Sequence, residues 1–387
     1  MDLEYKSDDK IFELEVKTFL EDHWDVAMLK SKDAIKIFRE KATEYGLIYR
    51  NVPKKYGGAG VPSDPIRANI IRECFSAVNA PREVQGNGVF MLVPTLLQHG
   101  TEQQKNEFIP KTLTGEYRWA QGYSEPEAGS DLASLKCRAD VSGGAWSING
   151  RKIWTTNAHK CTHMFALVRT EKEAEKHAGI SYMLFDLRQP GVTITPLRQM
   201  NGSFEFCEVL LENAQAPLDW VVGGVGRGWE VSKSTLKHER NSVGAATASM
   251  EIFEKLRKLA QSTERAGNAI TKNSYIHRRI IALEGRVRSH LYAGYYQLTC
   301  DAEGKSSGVV GLMNKLNSTL IAQEAADIAS EILGDSNLMM PTWGASRPGI
   351  ERWVNQQLLS LAAAIGGGTS NIHLNIIAER GLGLPRE

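Results

Sequence analysis

The hydrophobic period of this chain changes twice along its length, and that limits the folds open to it. Over residues 8–48 apolar positions recur at helical spacing: Ile11, Leu14, Val16, Phe19 and Leu20, then Ala34, Ile37, Phe38 and Ala42. The loop NVPKKYGGAGVPSDP interrupts them with proline and glycine, and helical patterns resume around 66–78 and 88–113. Near Trp119 the pattern shortens to runs such as CTHMFALVRT, ISYMLFDL and EFCEVLLE. They are rich in Val, Ile, Thr and aromatics and are separated by Gly, Pro and Asn. Ser142-Gly143-Gly144 and Asn149-Gly150 mark tight turns between them. From Gly228 the helical spacing returns. Segments 229–265, 273–302, 308–334 and 348–380 are each long enough for a bundle helix. The expected class is α+β, with an N-terminal helical domain over 1–118, a middle antiparallel β domain over 119–225 and a C-terminal four-helix bundle over 226–387. Strands do not alternate with long helices, which speaks against a doubly wound parallel sheet.

Charge and composition narrow the function. The 387 residues carry 46 basic and 45 acidic side chains, so net charge gives no footprint for nucleic acid or an anionic membrane. The five cysteines (Cys74, Cys137, Cys161, Cys207, Cys300) are far apart and form no CxxC pair. That argues against a disulfide framework or a zinc site and fits a reducing compartment. The acidic start MDLEYKSDDK is unlike a signal peptide, and no apolar run reaches the roughly 18 residues of a membrane span. The expectation is a soluble, cytoplasmic enzyme.

Several motifs carry no chemistry. GGVGRG at 223–228 lacks the βαβ setting of a dinucleotide loop and reads as a strand-to-helix connection. Gly304-Lys305-Ser306 lacks the upstream glycine of a P-loop and reads as an inter-helix loop. Ser124, Ser130 and Thr369 could be nucleophiles only beside a base, and no GxSxG elbow occurs. The stretch QGYSEPEAGSDLASLKCRADVSGGAWSINGRKIWTT is more informative. Ser124, Ser130, Thr155 and Thr156 are compact hydroxyl donors, suited to the polar edge of a flat heteroaromatic ring, and Trp154 could pack beside it. The plainer alternative makes YSEPEAGSD a surface turn and Trp154 a core residue.

Ordered motifs along nearly the whole chain decide between these. They are YGGAG at 56–60, LLQHGTEQQK at 96–105, GYSEPEAGSD at 122–131, INGRKIWTTNA at 148–158, GRGWEV at 226–231, LKHER at 236–240, Lys315, and GGTSNIHLNIIAERGLGLPR at 367–386. In this order and spacing the chain resembles the acyl-CoA dehydrogenase family of flavoproteins. The resemblance implies the same three-part fold, FAD as cofactor, an acyl-CoA substrate oxidised at its α and β carbons, and electron-transfer flavoprotein as acceptor. It places Tyr123, Ser124, Trp154, Thr155 and Thr156 at the isoalloxazine ring and Ser130 near the phosphates of CoA or FAD. It places Thr369 and Asn371 where the family contacts FAD across a subunit boundary, and Arg240 near CoA. A dimer or tetramer, with itself or with a homologous subunit, is implied as well.

The reaction needs a carboxylate to take the α proton while hydride leaves the β carbon, and donors for the charge that develops on the thioester oxygen. Many family members carry the base directly before the GTS of the late loop. Here that position is Gly367, within Gly366-Gly367-Gly368. A minority layout puts the base on a bundle helix just before an arginine, and that position here is Glu239 in LKHER. The resemblance therefore implies Glu239 as base, with the Gly367 N–H still a donor to the thioester oxygen and the glycines leaving room for a ring-bearing or branched acyl group. Two departures stand out. The family's Arg followed by Phe-Gly is absent from AITKNSYIHRRI at 269–280, and NIH replaces a glutamine-rich segment. Two alternatives stay open: a non-catalytic subunit that completes a partner's FAD site, and a flavin oxidase or monooxygenase on the same scaffold.

Overall fold

The computed structural model describes residues 6–174, 176–242, 246–265, 267–338 and 350–385. The chain divides into two units, and the boundary within their shared helix falls between His238 and Glu239.

The first unit spans 2–197 and 205–238. It opens with helices α1 (Ser7–His23), α2 (Lys32–Glu44), α3 (Pro65–Ala77), α4 (Val93–His99) and α5 (Glu102–Thr114). Their starts are written locally. Ser31 caps α2, and Asp64 caps α3 just ahead of Pro65. Thr101 and Gln104 form a reciprocal capping box on α5. Strands β1 (Trp119–Gly122), β2 (Arg138–Ser142), β3 (Ala145–Thr156), β4 (His163–Arg169), β5 (Ile180–Asp186), β6 (Val192–Pro196), β7 (Phe206–Pro217) and β8 (Val221–Val222) form one sheet in the order β6-β7-β3-β2-β4-β5-β8.

The expectation of an antiparallel sheet needs correcting. β1 and β2 both pair with β4 in parallel. The β2–β3 hairpin lies between β1 and β4 in sequence and supplies the long crossover that a parallel pair requires. The remaining pairings are antiparallel.

One apolar core joins the helices to one face of this sheet. Phe38, Phe75, Leu92, Leu96 and Phe108 pack in the same cluster as Trp119, Phe165, Tyr182 and Leu184. The start of α6 (Gly228–Ser242) belongs to this unit. A Cβ on Gly228 would sit 2.3 Å from the Ser181 carbonyl carbon, so only glycine lets the helix begin this close to β5. Thr235 then meets Thr95 at 2.9 Å, and Ser234 meets His99 at 2.9 Å.

The second unit holds residues 198–204 and 239–387. It contains α7 (Ala246–Ser262), α8 (Ser274–Ala302), α9 (Val309–Leu333), α10 (Ile350–Ala363) and α11 (Ser370–Ile376). Phe253, Leu256, Leu283, Val287, Ile321, Ile328 and Trp353 form its core. Segment 229–265 holds α6 and α7, with 243–245 outside the described residues. Segment 348–380 is divided rather than continuous. It breaks between α10 and α11 at Ala364–Thr369, where Gly367 and Gly368 take φ of 67° and 95°. Side chains rarely adopt that left-handed backbone, and it ends the helix. No helix among the described residues is long and apolar enough to cross a membrane.

Candidate functional site

The predicted residues fall into two groups, one in each unit. In the first unit, the turn after β1 and the end of β3 lie side by side. Ile153 N–H donates to the Ser124 carbonyl at 2.9 Å. This contact brings Tyr123 and Ser124 to the same edge as Trp154, Thr155 and Thr156.

β3 and β7 pair from Ala145↔Pro217 to Thr156↔Phe206, with a register break between Lys152 and Thr155. Trp154 sits in that break at φ 60°. A tryptophan in the left-handed region costs about 1–2 kcal/mol. The bulge turns its indole outward, 57% exposed and edge-on to Phe206 at 5.9 Å. The alternative that made Trp154 a core residue is thereby excluded.

Thr155 points the other way. It is fully buried and donates to the Cys207 carbonyl at 2.7 Å. Of the two threonines, Thr156 is exposed and half of the pair's hydroxyl supply is committed to the fold. Tyr123 is buried against Phe165 and Tyr182. Ser130 lies exposed at the far end of the turn.

A buried ion pair holds this edge, and reading the sequence missed it. Lys152 is completely buried and its Nζ donates to Glu125 Oε1 at 2.8 Å and to the Tyr123 carbonyl at 3.2 Å. Glu125 also accepts from the N–H groups of Lys136 at 2.7 Å and Cys137 at 2.9 Å. One carboxylate thus fixes the YSEPEAGSD turn to β3 and to the approach of β2. The available signal was the alternation in INGRKIWTT, which puts Lys152 on the same inward face as Ile148.

The donor set fits a flat heteroaromatic cofactor. The Ser124 Oγ and Thr156 Oγ1 hydroxyls make no hydrogen bond among the described residues. They share this edge with an indole that the bulge holds in solvent at a cost in strain and exposed apolar area. Hydroxyl donors beside an aromatic face match the polar edge and π-surface of an isoalloxazine ring. Among the described residues there is no group of three or more His, Cys, Asp or Glu side chains that could hold a metal ion.

In the second unit, the loop from Ala364 to Thr369 carries Gly367, with Thr369 as the N-cap of α11. Thr369 Oγ1 accepts from Ile372 N–H at 3.2 Å, and Asn371 is exposed two residues on. Lys315 Nζ, buried on α9, donates to the Gly368 carbonyl at 2.7 Å. His373 Nε2 lies 3.2 Å from the Gly367 carbonyl. Glu239 and Arg240 fall in the last turn of α6, but their side chains lie outside the described residues.

Comparison with known proteins identifies the family. The acyl-CoA dehydrogenase family matches in three pieces: the N-terminal domain over residues 6–116, the middle domain over 120–214 and the C-terminal domain over 226–382. Acyl-CoA dehydrogenase IpdE1 of Mycobacterium tuberculosis is 35% identical over 355 residues, covering 90% of this chain and 88% of that protein. IpdE1 of Mycolicibacterium smegmatis is 36% identical over 354 residues, covering 88% and 86%. Among solved structures, a chain of the ChsE4-ChsE5 complex from M. tuberculosis matches with a TM-score of 0.80 at 23% identity, over 100% of both chains. The Tcur3481-Tcur3483 steroid ACAD gives the same TM-score, identity and coverage. The chain belongs to the acyl-CoA dehydrogenase family and is an FAD-dependent acyl-CoA dehydrogenase.

Proposed function

We propose that this enzyme oxidises the Cα–Cβ bond of a ring-bearing or branched acyl-CoA to the 2-enoyl-CoA, with Glu239 as the base. FAD, when bound, supplies the hydride acceptor. Ser124, Thr156 and the exposed face of Trp154 hold its ring. Thr155 and Tyr123 act from behind by fixing the strand and turn that carry those groups. Thr369 and Asn371 contact FAD across a subunit boundary. Ser130 and Arg240 bind the phosphates and the CoA moiety.

Glu239 takes the α proton onto its carboxylate, and the Gly367 N–H donates to the thioester oxygen as negative charge develops there. The observation that carries this assignment is the composition of the late loop. Ala364–Thr369 contains no carboxylate and has three glycines in a row, while an acid stands directly before Arg240. Gly366 has only the Ala362 carbonyl within 4 Å of a built Cβ, at 3.7 Å, so side-chain volume is absent there without crowding that demands it. That space suits a bulky acyl group, and the similarity to a steroid ACAD supports the same substrate class. We further propose domains over 1–118, 119–225 and 226–387, electron-transfer flavoprotein as acceptor, and assembly with itself or a homologous subunit.

The test is the visible spectrum of the purified protein under anaerobic titration with straight-chain, branched and ring-bearing CoA esters. Bleaching by the bulky esters, and little by the straight-chain ones, is expected. A flavin indifferent to every ester would refute the proposal.

A further inference from the structure

The loop between α10 and α11 is anchored at more points than its length requires. Gly366 N–H donates to the Ala362 carbonyl at 3.0 Å, and Ser370 N–H donates to the Ala364 carbonyl at 3.0 Å. Between them, two buried side chains from different helices address two successive carbonyls. His373 Nε2 is 3.2 Å from the Gly367 oxygen, and Lys315 Nζ is 2.7 Å from the Gly368 oxygen. Because the carbonyl is an acceptor, His373 carries its proton on Nε2 in this contact. Lys315 and His373 are 4% and 5% exposed.

A lysine is a costly way to satisfy one carbonyl. Burial pushes its ammonium down from the ordinary lysine range, and among the described residues no carboxylate pairs with it. A hydroxyl or amide would satisfy the same oxygen without desolvating a charge. The placement has a different consequence. A peptide unit is planar and trans, so its N–H points opposite to its C=O. Pinning the Gly367 and Gly368 carbonyls therefore directs the N–H groups of Gly368 and Thr369 away from the Lys315–His373 side. The Gly367 N–H is held between the Gly366 anchor upstream and these two downstream. The N–H groups of Gly367, Gly368 and Thr369 donate to nothing among the described residues. Successive unpaired N–H groups in a turn favour an anion or developing negative charge.

We propose that Lys315 and His373 are positioning residues for the thioester oxygen: they fix the Gly367–Thr369 peptide planes so that the loop's N–H donors are set before substrate binds. The Lys315 charge also polarises the Gly368–Thr369 peptide, which makes that N–H a stronger donor. Preorganised donors aimed at developing charge lower the barrier because they need no reorganisation during the reaction. This inference rests on the dehydrogenase reading proposed above.

The experiment compares K315M, K315R, H373L and H373Q with the wild-type FAD-loaded enzyme. A direct oxyanion donor is worth about 10²–10³ in rate, and an indirect one less, so K315M should lower kcat about 10- to 100-fold with KM changed little. K315R, which keeps a buried cationic donor, should recover part of that loss. The second readout is a 3-oxoacyl-CoA, whose α proton is acidic enough to titrate in the complex. K315M should raise its bound pKa by about one unit or more, a change that simple loosening of the fold does not produce. A folded K315M with wild-type kcat and bound pKa overturns the proposal. Should K315M not fold, the His373 pair decides: H373Q keeps an amide donor and should outpace H373L, and equal rates overturn the proposal. Wild-type turnover of an acyl-CoA, measured first, separates failure of this inference from failure of the dehydrogenase reading.

Discussion

Replacing Lys152 with methionine isolates the interaction that shapes the cofactor edge. Methionine fills most of the lysine volume, so packing changes little. The change leaves Glu125, 8% exposed, with two backbone N–H donors and no cation. Removing one partner of a buried ion pair typically costs about 3–5 kcal/mol, because the remaining charge stays desolvated. For a unit of this size that corresponds to a fall in melting temperature of order 10 °C. The double variant E125Q/K152M removes the stranded charge and keeps one acceptor for the backbone donors, so it should recover well over half of the loss. The assay is thermal unfolding of the flavin-free protein, followed by near-ultraviolet circular dichroism, with FAD affinity measured in parallel. Both single and double variants lose the contact to the Tyr123 carbonyl, so FAD should bind more weakly in each. If K152M melts no lower than the double variant, the pair is not what fixes this turn.

Four further outcomes follow from the same edge and its surroundings. Trp154→Ala should leave flavin-free stability within about 0.5 kcal/mol, because the ring is exposed, and should weaken FAD binding by up to about tenfold in a fluorescence titration. Thr155→Val strands the Cys207 carbonyl and should cost about 1–3 kcal/mol in denaturant melts. Thr156→Val should spare stability and weaken FAD binding instead. His163 is buried beside Tyr117 and Trp119, and burial pushes its pKa down from 6.5 to about 4. Its unfolded-state value is the higher one, so the unfolded chain takes up the proton first. The associated stability is complete above pH 6.5 and is lost as pH falls towards 4, by about 3 kcal/mol in all. His163→Phe should flatten that acid limb in melts taken across this pH range.

The layers of the fold were legible because hydrophobic period separates helix from strand over long segments. The parallel pairings of β1 and β2 were not, since the period of two is the same whichever way a neighbour runs. Trp154 shows a second limit. A bulge shifts the phase of alternation, so period alone left a core position open as the alternative for the residue it expels. Lys152 lay in plain sight on the inward side of β3, but its partner Glu125 is 27 residues away and joined to it only by folding. The clamps on the late loop are of the same kind: Lys315 is 53 residues from Gly368. The candidate base at Glu239 was implied by the family resemblance rather than by residue pattern alone, and its side chain lies outside the described residues.

The most direct test of the account is α-proton removal by Glu239. Wild-type protein and E239Q would be loaded with FAD and mixed anaerobically with a bulky CoA ester that bleaches the wild type. Flavin absorbance and solvent deuterium exchange at the ester's α carbon would be followed together. The account predicts that E239Q keeps its flavin and binds the ester but loses both bleaching and exchange by about 10²–10⁴-fold. Wild-type rates in E239Q would contradict it and return the search for the base to another side chain.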